Sequence, residues 1–402
     1  MPTYCIDLTA HNTLARQRGI GRYGYELARA LRALRSELAA DERLIALARV
    51  RGANAFVTDL DIDRVAEPLP PPKQQASHYR RYFRSHRLYA RRTLERAGVD
   101  VVHFLEGHAL ETSRAYRSVV TCHDLVPLVL PRDYLKGALH ELILRAKSFF
   151  QYHGADRVIA ISHATARDLD AVLGLPRGRA AVIHQGVCRE HFHPQAAANE
   201  RALLDARGIP PRYLIYIGAH DPRKRVPVLL RAQRSVFRAT GVPLVLVGAW
   251  LTDLPRDLRQ ALSASSEGSI ILLGGIEDGL IAPLYRHAEV HVLPSVYEGF
   301  GLTVLEAMAS GCPVITTRES SLAEVGGEAA RYVAPDSVSS LEAALFEVLR
   351  NPDLRREMIA KGLAQAARFT WQRAARATLE VYRAAVGRST GPGTLGDVSA
   401  VP

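Results

Sequence analysis

Glu298 and Glu306, separated by seven residues, mark the part of the 402-residue chain in which residue types and spacing best suit chemistry. Between them, Gly299 and Gly301 allow the backbone to approach a ligand closely. The helix-period run from Leu302 directs its first free N–H groups towards this turn, and such a helix N-terminus binds phosphate. Because carboxylates repel phosphate, we expect the glutamates to accept hydrogen bonds from sugar hydroxyls. The alternative is a glycine-rich turn with two surface glutamates.

A basic loop provides a second candidate site. Arg223 and Lys224 follow a predicted strand that ends at Gly218, and a helix-period segment begins after them. Open α/β sheets bind ligands in the crevice beyond the carboxyl ends of their strands. Arginine offers a planar fork to phosphate oxygens and lysine a point charge, so the loop predicts a diphosphate site. The alternative is a solvated basic turn.

Two weaker motifs lie in the first half of the chain. Gly19 and Gly21 open a predicted helix after the first strand, and His123 stands at the carboxyl end of another strand. A short Gly-x-Gly turn and a lone strand-end histidine are each compatible with a purely structural role. No Asp-x-Asp stands at a predicted strand end, where a divalent cation would be expected, so we predict no metal.

Short apolar runs alternate with longer helix-period segments, which is the pattern of βαβ units with parallel sheets covered on both faces. A helix is predicted over Gly21–Arg35. The strands predicted in the first half are Thr3–Leu8, Leu44–Val50, Val99–Phe104, Val119–Cys122, Arg157–Ile161 and Ala181–His184. Those predicted in the second half are Tyr213–Ile217, Leu244–Val247, Ile270–Leu273, Val290–Leu293, Pro313–Thr316 and Arg331–Val333.

The chain is too long for a single hydrophobic core. Residues 193–212 have no strand pattern and contain a Pro-Pro pair, so we place a domain boundary there. The fold class predicted is α/β, with two Rossmann-like domains at 1–192 and 193–370. A last helix at 371–386 is expected to cross back to the first domain, and 387–402 have the composition of a disordered tail.

The segment EGFGLTVLEAMASGCPVI, which begins at Glu298, resembles the signature of glycosyltransferase family 4. The resemblance continues from about residue 213 to 384 and is weaker in the first half. It implies the GT-B fold, in which two Rossmann-like domains with parallel sheets face a central cleft. It also implies sugar transfer with retention of anomeric configuration.

The resemblance implies roles for the matching residues of the second domain. Glu298 would hold hydroxyls of the donor sugar, Glu306 would bind the ribose of the nucleotide, and the backbone near Ile276 would contact the base. The backbone that contacts sugar and diphosphate would be that of Gly299, Phe300, Gly301 and Leu302. We therefore expect 193–370 to bind the nucleotide sugar.

The basic loop fits the resemblance with one departure. Lys224 matches the family lysine that contacts the pyrophosphate. Many members have arginine directly after the strand glycine, where this chain has Ala219. Arg223 would supply that charge, as in members with a Pro-Arg-Lys loop.

For the first domain, 1–192, the resemblance implies acceptor binding. Gly19 and Gly21 would form the glycine loop that faces the donor phosphates, and His123 would lie near the donor sugar and the leaving phosphate. Same-face attack would follow, in which the departing diphosphate takes the acceptor's proton. Glu298, His123, Lys224 and Arg223 are the residues expected to act in transfer.

Neither donor nor acceptor follows from the motifs. The resemblance favours a nucleotide diphosphate sugar as the donor, with GDP-mannose as first choice, and no separate cofactor. A saccharide or lipid-linked saccharide of bacterial lipopolysaccharide, O-antigen or exopolysaccharide is the expected acceptor. A GT-B phosphorylase or sucrose- or trehalose-type enzyme, a nucleotide-sugar epimerase, and an inactive sugar-nucleotide binding module are alternatives.

The net charge of +11 suits an anionic partner or reflects arginine-rich composition. Residues 78–96 carry seven arginines among aromatic and apolar side chains, as expected either for peripheral contact with an anionic membrane or for an ordinary surface helix. Four scattered cysteines and the absence of a secretory signal or apolar span favour a cytoplasmic protein, with the inner face of the cytoplasmic membrane as a peripheral location. A nucleic-acid partner would explain the charge but not the motifs, and none is expected.

Overall fold

The chain divides into two compact units. Unit 1 comprises Met1–Gly186 and Thr370–Pro402, and unit 2 comprises Val187–Phe369. The division before Val187 falls a few residues ahead of the boundary drawn from the sequence. The computed structural model describes residues 2–8, 19–49, 63–67, 91–107, 110, 112–176, 178–248 and 256–387.

Unit 1 contains a seven-stranded parallel sheet in the order β3-β2-β1-β4-β5-β6-β7. Its strands are β1 Thr3–Asp7, β2 Arg43–Arg49, β3 Asp63–Glu67, β4 Val101–Phe104, β5 Arg117–Cys122, β6 Arg157–Ala160 and β7 Ala180–Val182. Every residue of β1 and β4 is buried, including the polar Asp7 and His103, as expected for central strands of a parallel sheet covered on both faces. The strand order reverses between β1 and β4.

The helices of unit 1 follow the strands. They are α1 Gly19–Ala33, α2 Val126–Val129, α3 Pro131–Tyr134, α4 Ala138–Gly154 and α5 His163–Leu173. The helix predicted over Gly21–Arg35 is present as α1, and it buries Tyr23, Leu27 and Leu31 on one face. Ser162 caps α5 by accepting a hydrogen bond from the Thr165 N–H at 3.0 Å.

Unit 2 contains a six-stranded parallel sheet in the order β10-β9-β8-β11-β12-β13. Its strands are β8 Leu214–Ile217, β9 Leu244–Val247, β10 Ile270–Leu273, β11 Val290–Leu293, β12 Val314–Thr317 and β13 Arg331–Val333. Its helices are α6 Glu200–Asp205, α7 Val226–Thr240, α8 Arg256–Ser263, α9 Asp278–Arg286, α10 Leu302–Ala309, α11 Leu322–Gly326, α12 Val338–Arg350 and α13 Pro352–Ala366. Here the strand order reverses between β8 and β11.

The last described helix, α14 (Trp371–Ala385), belongs to unit 1. Thr370 caps it by accepting a hydrogen bond from the Arg373 N–H. The Arg383 guanidinium pairs with Glu42 at 2.7 Å and holds the pKa of that carboxyl at about 2. This helix therefore follows unit 2 in the sequence but belongs to unit 1 in the fold.

The predicted fold class is confirmed, with every predicted strand present to within a few residues. The short strand β3 was not predicted. Of the basic stretch 78–96, only 91–96 lie within the described residues, and these are helical. The predicted tail lies outside the described residues beyond Gly387.

Candidate functional site

In unit 2, the residues best suited to bind a substrate or act in a reaction lie in the loops that follow two neighbouring strands. Strands β8 and β11 pair in parallel and end at Ile217 and Leu293. The chain turns to opposite sides of the sheet after these strands, so their loops leave a crevice at the carboxyl edge. The loop after β8 carries Arg223 and Lys224, and the loop after β11 carries Glu298.

An ion pair joins these two loops. Arg223 Nη1 lies 3.0 Å from Glu298 Oε2, and both side chains are largely buried. The second carboxylate oxygen, Oε1, accepts a hydrogen bond of 2.9 Å from the Ser295 hydroxyl. The Val296 N–H donates to the Arg223 carbonyl at 2.8 Å, so the main chains are joined too. Because Arg223 and Ser295 each bind one of its oxygens, the Glu298 carboxylate is fixed in one orientation, as a group that binds a ligand needs to be.

Lys224 ends a short 3-10 turn, Pro222–Lys224. Asp221 caps the turn by accepting a hydrogen bond from the Arg223 N–H at 3.2 Å. Gly218 has a φ of +150°, and a Cβ there would lie 2.6 Å from Lys224 Nζ. Glycine at this position therefore leaves space for the ammonium group at the end of β8.

The glycine-rich turn leads into α10 through Gly301, whose φ of +103° favours glycine. A Cβ on Gly301 would lie 3.0 Å from Leu322 Cδ2 on α11. The first amides of α10 therefore begin at a turn with no space for a side chain. Free amides at such a terminus can accept an anion.

Two serines after β12 form hydrogen bonds with the backbone of this turn. The Ser320 hydroxyl accepts a hydrogen bond from the Glu298 N–H at 2.8 Å. The Ser321 hydroxyl lies 2.7 Å from the Glu298 carbonyl and 2.9 Å from the Phe300 carbonyl, so its single proton is shared between two acceptors. Ser320 itself has a φ of +50°. The sequence interpretation did not assign these serines to the site, because a serine hydroxyl that bonds backbone groups has no spacing signature.

The other residues predicted in unit 2 are more scattered. Glu306 is buried in α10, and Phe300 is buried against Phe369 with ring centroids 5.9 Å apart. Ile276 lies half-buried in the loop between β10 and α9. Within the described part of the chain, no hydrogen bond joins Ile276 to the Arg223–Glu298 pair. The structure thus brings together the basic loop and the glycine turn.

In unit 1, Gly19 and Gly21 are at the start of α1, with Gly19 exposed and Gly21 buried. His123 Nε2 lies 2.8 Å from the Leu105 carbonyl just beyond β4. Because a carbonyl can only accept, Nε2 carries the hydrogen and Nδ1 is left as an acceptor. Burial lowers the pKa of His123, which favours the neutral imidazole, and its ring meets the edge of Tyr23 at 4.9 Å between centroids.

A second buried histidine in unit 1 was missed by the sequence interpretation. His103 Nδ1 lies 2.7 Å from the Tyr382 hydroxyl on α14, and Nε2 lies 2.7 Å from Thr121 Oγ1 on β5. Burial lowers the pKa of His103 to about 3, so the ring stays neutral. It joins the last helix to the sheet, and nothing in the sequence around β4 indicates a partner so distant along the chain.

Sequence comparisons place the chain beside known enzymes. The profile described as Glycosyltransferase Family 4 matches residues 17–191, and the one described as Glycosyl transferases group 1 matches 211–351. O-antigen chain mannosyltransferase B from Escherichia coli is 31% identical over 282 residues, which are 67% of this chain and 71% of that protein. Serotype-specific mannosyltransferase WbdA from Escherichia coli is 26% identical over 94% of this chain, which spans 47% of WbdA.

Solved structures show the same architecture. Sucrose-phosphate synthase from Thermosynechococcus elongatus has a TM-score of 0.77 at 20% identity, over 97% of this chain and 100% of that one. Anabaena Alr3699/HepE, in complex with UDP-glucose, has a TM-score of 0.71 at 16% identity, over 96% of this chain and 100% of that one. The fold and site thus define a glycosyltransferase of the GT-B class. Within that class, the chain belongs to glycosyltransferase family 4, which confirms the resemblance.

Proposed function

We propose that this enzyme transfers mannose from GDP-mannose, with retention of configuration and without a metal ion, to a saccharide or lipid-linked saccharide. The acceptor would belong to bacterial O-antigen, lipopolysaccharide or exopolysaccharide synthesis in the cytoplasm. Two relatives named as O-antigen or serotype-specific mannosyltransferases support the choice of sugar and acceptor class. The observation that carries the proposal is the Arg223–Glu298 ion pair near the start of α10. It places a carboxylate that can accept hydrogen bonds from sugar hydroxyls next to groups that can bind phosphate.

Transfer breaks the bond between the sugar's anomeric carbon and the diphosphate oxygen. The acceptor oxygen forms a new bond on the same face, and its proton passes to the departing diphosphate. Negative charge therefore grows on the diphosphate while positive charge grows on the sugar ring. Lys224, Arg223 and the amides at Leu302 would stabilise the diphosphate, because fixed charges and dipoles need little reorganisation during the reaction.

Glu298 would accept hydrogen bonds from donor hydroxyls, which fixes the sugar while the bond breaks. Glu306 would bind the ribose hydroxyls, and the backbone near Ile276 would contact the base. The roles predicted for Gly19 and Gly21 in donor binding and for His123 in transfer are part of the same proposal.

A thermal-shift panel of guanosine and uridine diphosphate sugars tests the donor, since a ligand bound only by the native state raises its melting temperature. GDP-mannose is expected to give the largest shift. Incubation of the best donor with acceptor oligosaccharides, with and without EDTA, then tests transfer and metal dependence, and proton NMR of the product reads its anomeric configuration. A larger shift with uridine sugars, an inverted product or loss of turnover in EDTA would each overturn the corresponding part of the proposal.

A further inference from the structure

Three residues of unit 2 have a backbone conformation that residues with a side chain rarely adopt. Among the residues that the structure describes, the non-glycine residues with positive φ are Arg225 (φ +48°), Ser320 (φ +50°) and Asp336 (φ +54°). This left-handed conformation costs free energy and persists where surrounding contacts fix it, and such residues cluster at functional sites. Ser320 already belongs to the site, because its hydroxyl accepts a hydrogen bond from the Glu298 N–H. The other two residues have no assigned role.

Arg225 and Asp336 form an ion pair with each other. Arg225 Nε lies 2.9 Å from Asp336 Oδ1. Arg225 directly precedes α7, and Asp336 directly precedes Ser337, the residue that caps α12. Because α7 and α12 pack against each other, the ion pair joins the starts of two neighbouring helices. The two strained residues therefore act at one place in unit 2.

The same arginine also contacts the basic turn of the site. Arg225 Nη1 donates a hydrogen bond to the Pro222 carbonyl at 2.8 Å, and the Arg225 N–H donates to the same carbonyl at 3.3 Å. Pro222 opens the 3-10 turn that ends at Lys224. The Arg225 guanidinium thus connects Asp336 to the turn that carries Arg223 and Lys224. On the other side of this turn, Arg223 forms the ion pair with the glycine-rich loop.

Stability alone does not account for this arrangement. The Asp336 side chain is 55% exposed, and an ion pair at such a position contributes little to the free energy of folding. Two residues in the left-handed conformation offset that small gain. What the pair does provide is a fixed orientation for the turn. Cations that are already oriented stabilise a diphosphate most effectively, because they need little reorganisation when it binds or departs.

We propose that Arg225 is a positioning residue, held by Asp336, that fixes the direction in which the turn presents Arg223 and Lys224 to the donor diphosphate. The inference rests on the proposed function and adds to it two residues that act without touching the donor. One guanidinium nitrogen of Arg225 faces Asp336 and another faces Pro222, so the side chain is used to hold the turn.

Asp336→Asn separates positioning from a simple effect of charge. Asparagine also adopts the left-handed conformation, so the backbone is retained. Loss of an anion near the turn would by itself strengthen the binding of an anionic diphosphate. Positioning predicts the opposite sign: the affinity for GDP should fall about two- to fivefold in calorimetry, because Arg225 loses its partner. The control is E347Q, which removes an anion and a surface ion pair with Arg331 from α12 and should not weaken GDP binding.

Two substitutions at Arg225 test the other partner. In R225G the affinity for GDP should fall about tenfold, because the contacts with Asp336 and Pro222 are both lost. Glycine adopts the left-handed conformation without strain, so the midpoint of urea denaturation should equal or exceed that of wild type. Weaker binding would then not result from a less stable fold. R225K keeps the charge but cannot reproduce the two directed bonds of a guanidinium, so its GDP affinity should also fall.

K224A distinguishes failure of this inference from failure of the proposed function. If K224A binds GDP as wild type does, the turn is not a diphosphate site and the proposed function fails there. If K224A weakens binding while R225G or R225K binds as wild type does, only the positioning inference is overturned. Tighter binding in D336N, or an equal loss in E347Q, would also overturn it. If wild type prefers UDP, the same variants are measured with UDP, since both nucleotides carry the diphosphate.

Discussion

Arg223 and Glu298 lie 3.0 Å apart across the loops that follow β8 and β11. The residue predicted to bind the diphosphate therefore contacts the residue predicted to bind the donor sugar. One Glu298 oxygen is taken by Arg223 and the other by Ser295. A guanidinium has five N–H groups, and this ion pair uses the Nη1 end. Arg223 can therefore orient Glu298 and still meet a diphosphate, while Lys224 contributes a separate charge.

E298Q keeps the shape of the side chain and removes its charge. We expect turnover to fall about 100- to 1,000-fold, because the amide is a weaker acceptor for donor hydroxyls and Arg223 loses its ion pair with Glu298, which leaves the weaker pair with Asp221 at 3.4 Å. GDP affinity should change less than about threefold, since Lys224 and α10 are untouched. Steady-state kinetics and GDP calorimetry measure the two effects. Wild-type turnover in E298Q would remove Glu298 from its proposed role.

Ser295→Ala is the matched test of orientation at the same carboxylate. It removes one hydrogen bond to Glu298 and leaves the Arg223 pair in place. Such a loss costs about 0.5–1.5 kcal/mol of stability. We expect kcat to fall about tenfold with a small effect on GDP affinity. A loss as large as that of E298Q would mean that the serine contacts the substrate itself.

Ser321→Ala should destabilise the glycine turn by removing hydrogen bonds to its backbone. The Ser321 hydroxyl bonds the carbonyls of both Glu298 and Phe300, so its loss leaves buried acceptors unsatisfied. We expect a loss of about 1–3 kcal/mol in the free energy of unfolding and a lower kcat, with KM for the donor changed less. Chemical denaturation and donor kinetics separate the two. S321C, which retains a weak donor, should recover part of kcat, whereas an equal loss in both variants would count against positioning.

Gly218→Ala tests the placement of Lys224. A Cβ at Gly218 would lie 2.6 Å from Lys224 Nζ, and a flexible side chain yields by moving away. We expect GDP affinity to fall about tenfold, as when one charged phosphate ligand is lost. The control is Gly241→Ala, since Gly241 has a φ of +67° and open space around its Cβ position. G241A should lose about 1 kcal/mol of stability with normal GDP binding. Equal GDP affinity in the two variants would contradict the placement.

The fold could be predicted from the sequence because most strands are short, mainly apolar runs separated by helix-period segments. Strand β3 departs from this rule, since Asp63–Glu67 carries charge at both ends and only the central Val65 and Ala66 are apolar. Such a short mixed segment at a sheet edge is formed by pairing with β2, which is a tertiary effect.

The candidate site was predictable to the extent that local spacing encodes it. The glutamate pair, the glycines and the basic loop are short-range patterns, and the parallel-strand rule places them at one edge of a sheet. The Ser320–Ser321 contacts depend on the loop after β12, and the Ser295 contact depends on a rotamer. The His103–Tyr382 bond joins residues at opposite ends of the chain. Such partners follow from packing, which no sequence period records.

The pH dependence of unit 1 stability should reflect His103. Burial lowers its pKa from 6.5 to about 3, so between these values the unfolded chain binds a proton that the folded chain does not. The free energy of unfolding therefore falls on acidification, by about 1.4 kcal/mol per pH unit for this group. His103→Gln can keep both hydrogen bonds and cannot titrate, so its slope between pH 6.5 and 4.5 should be shallower by about that amount.

Urea denaturation at successive pH values measures this slope in wild type, H103Q and a control, H140Q. The control replaces an exposed histidine on α4 and should keep the wild-type slope. His123 is present in all three proteins and also has a lowered pKa, so the difference between variants isolates His103. Glu42 has a pKa of about 2 in the folded protein and 4.5 in the unfolded chain, and because it is present in all three proteins its contribution at the lower end of the window cancels. The Gln side chain can keep the hydrogen bonds to Tyr382 and Thr121, so the two proteins differ mainly in whether residue 103 titrates. Identical slopes in wild type and H103Q would contradict the prediction, because they would mean that His103 binds a proton in the folded protein as well.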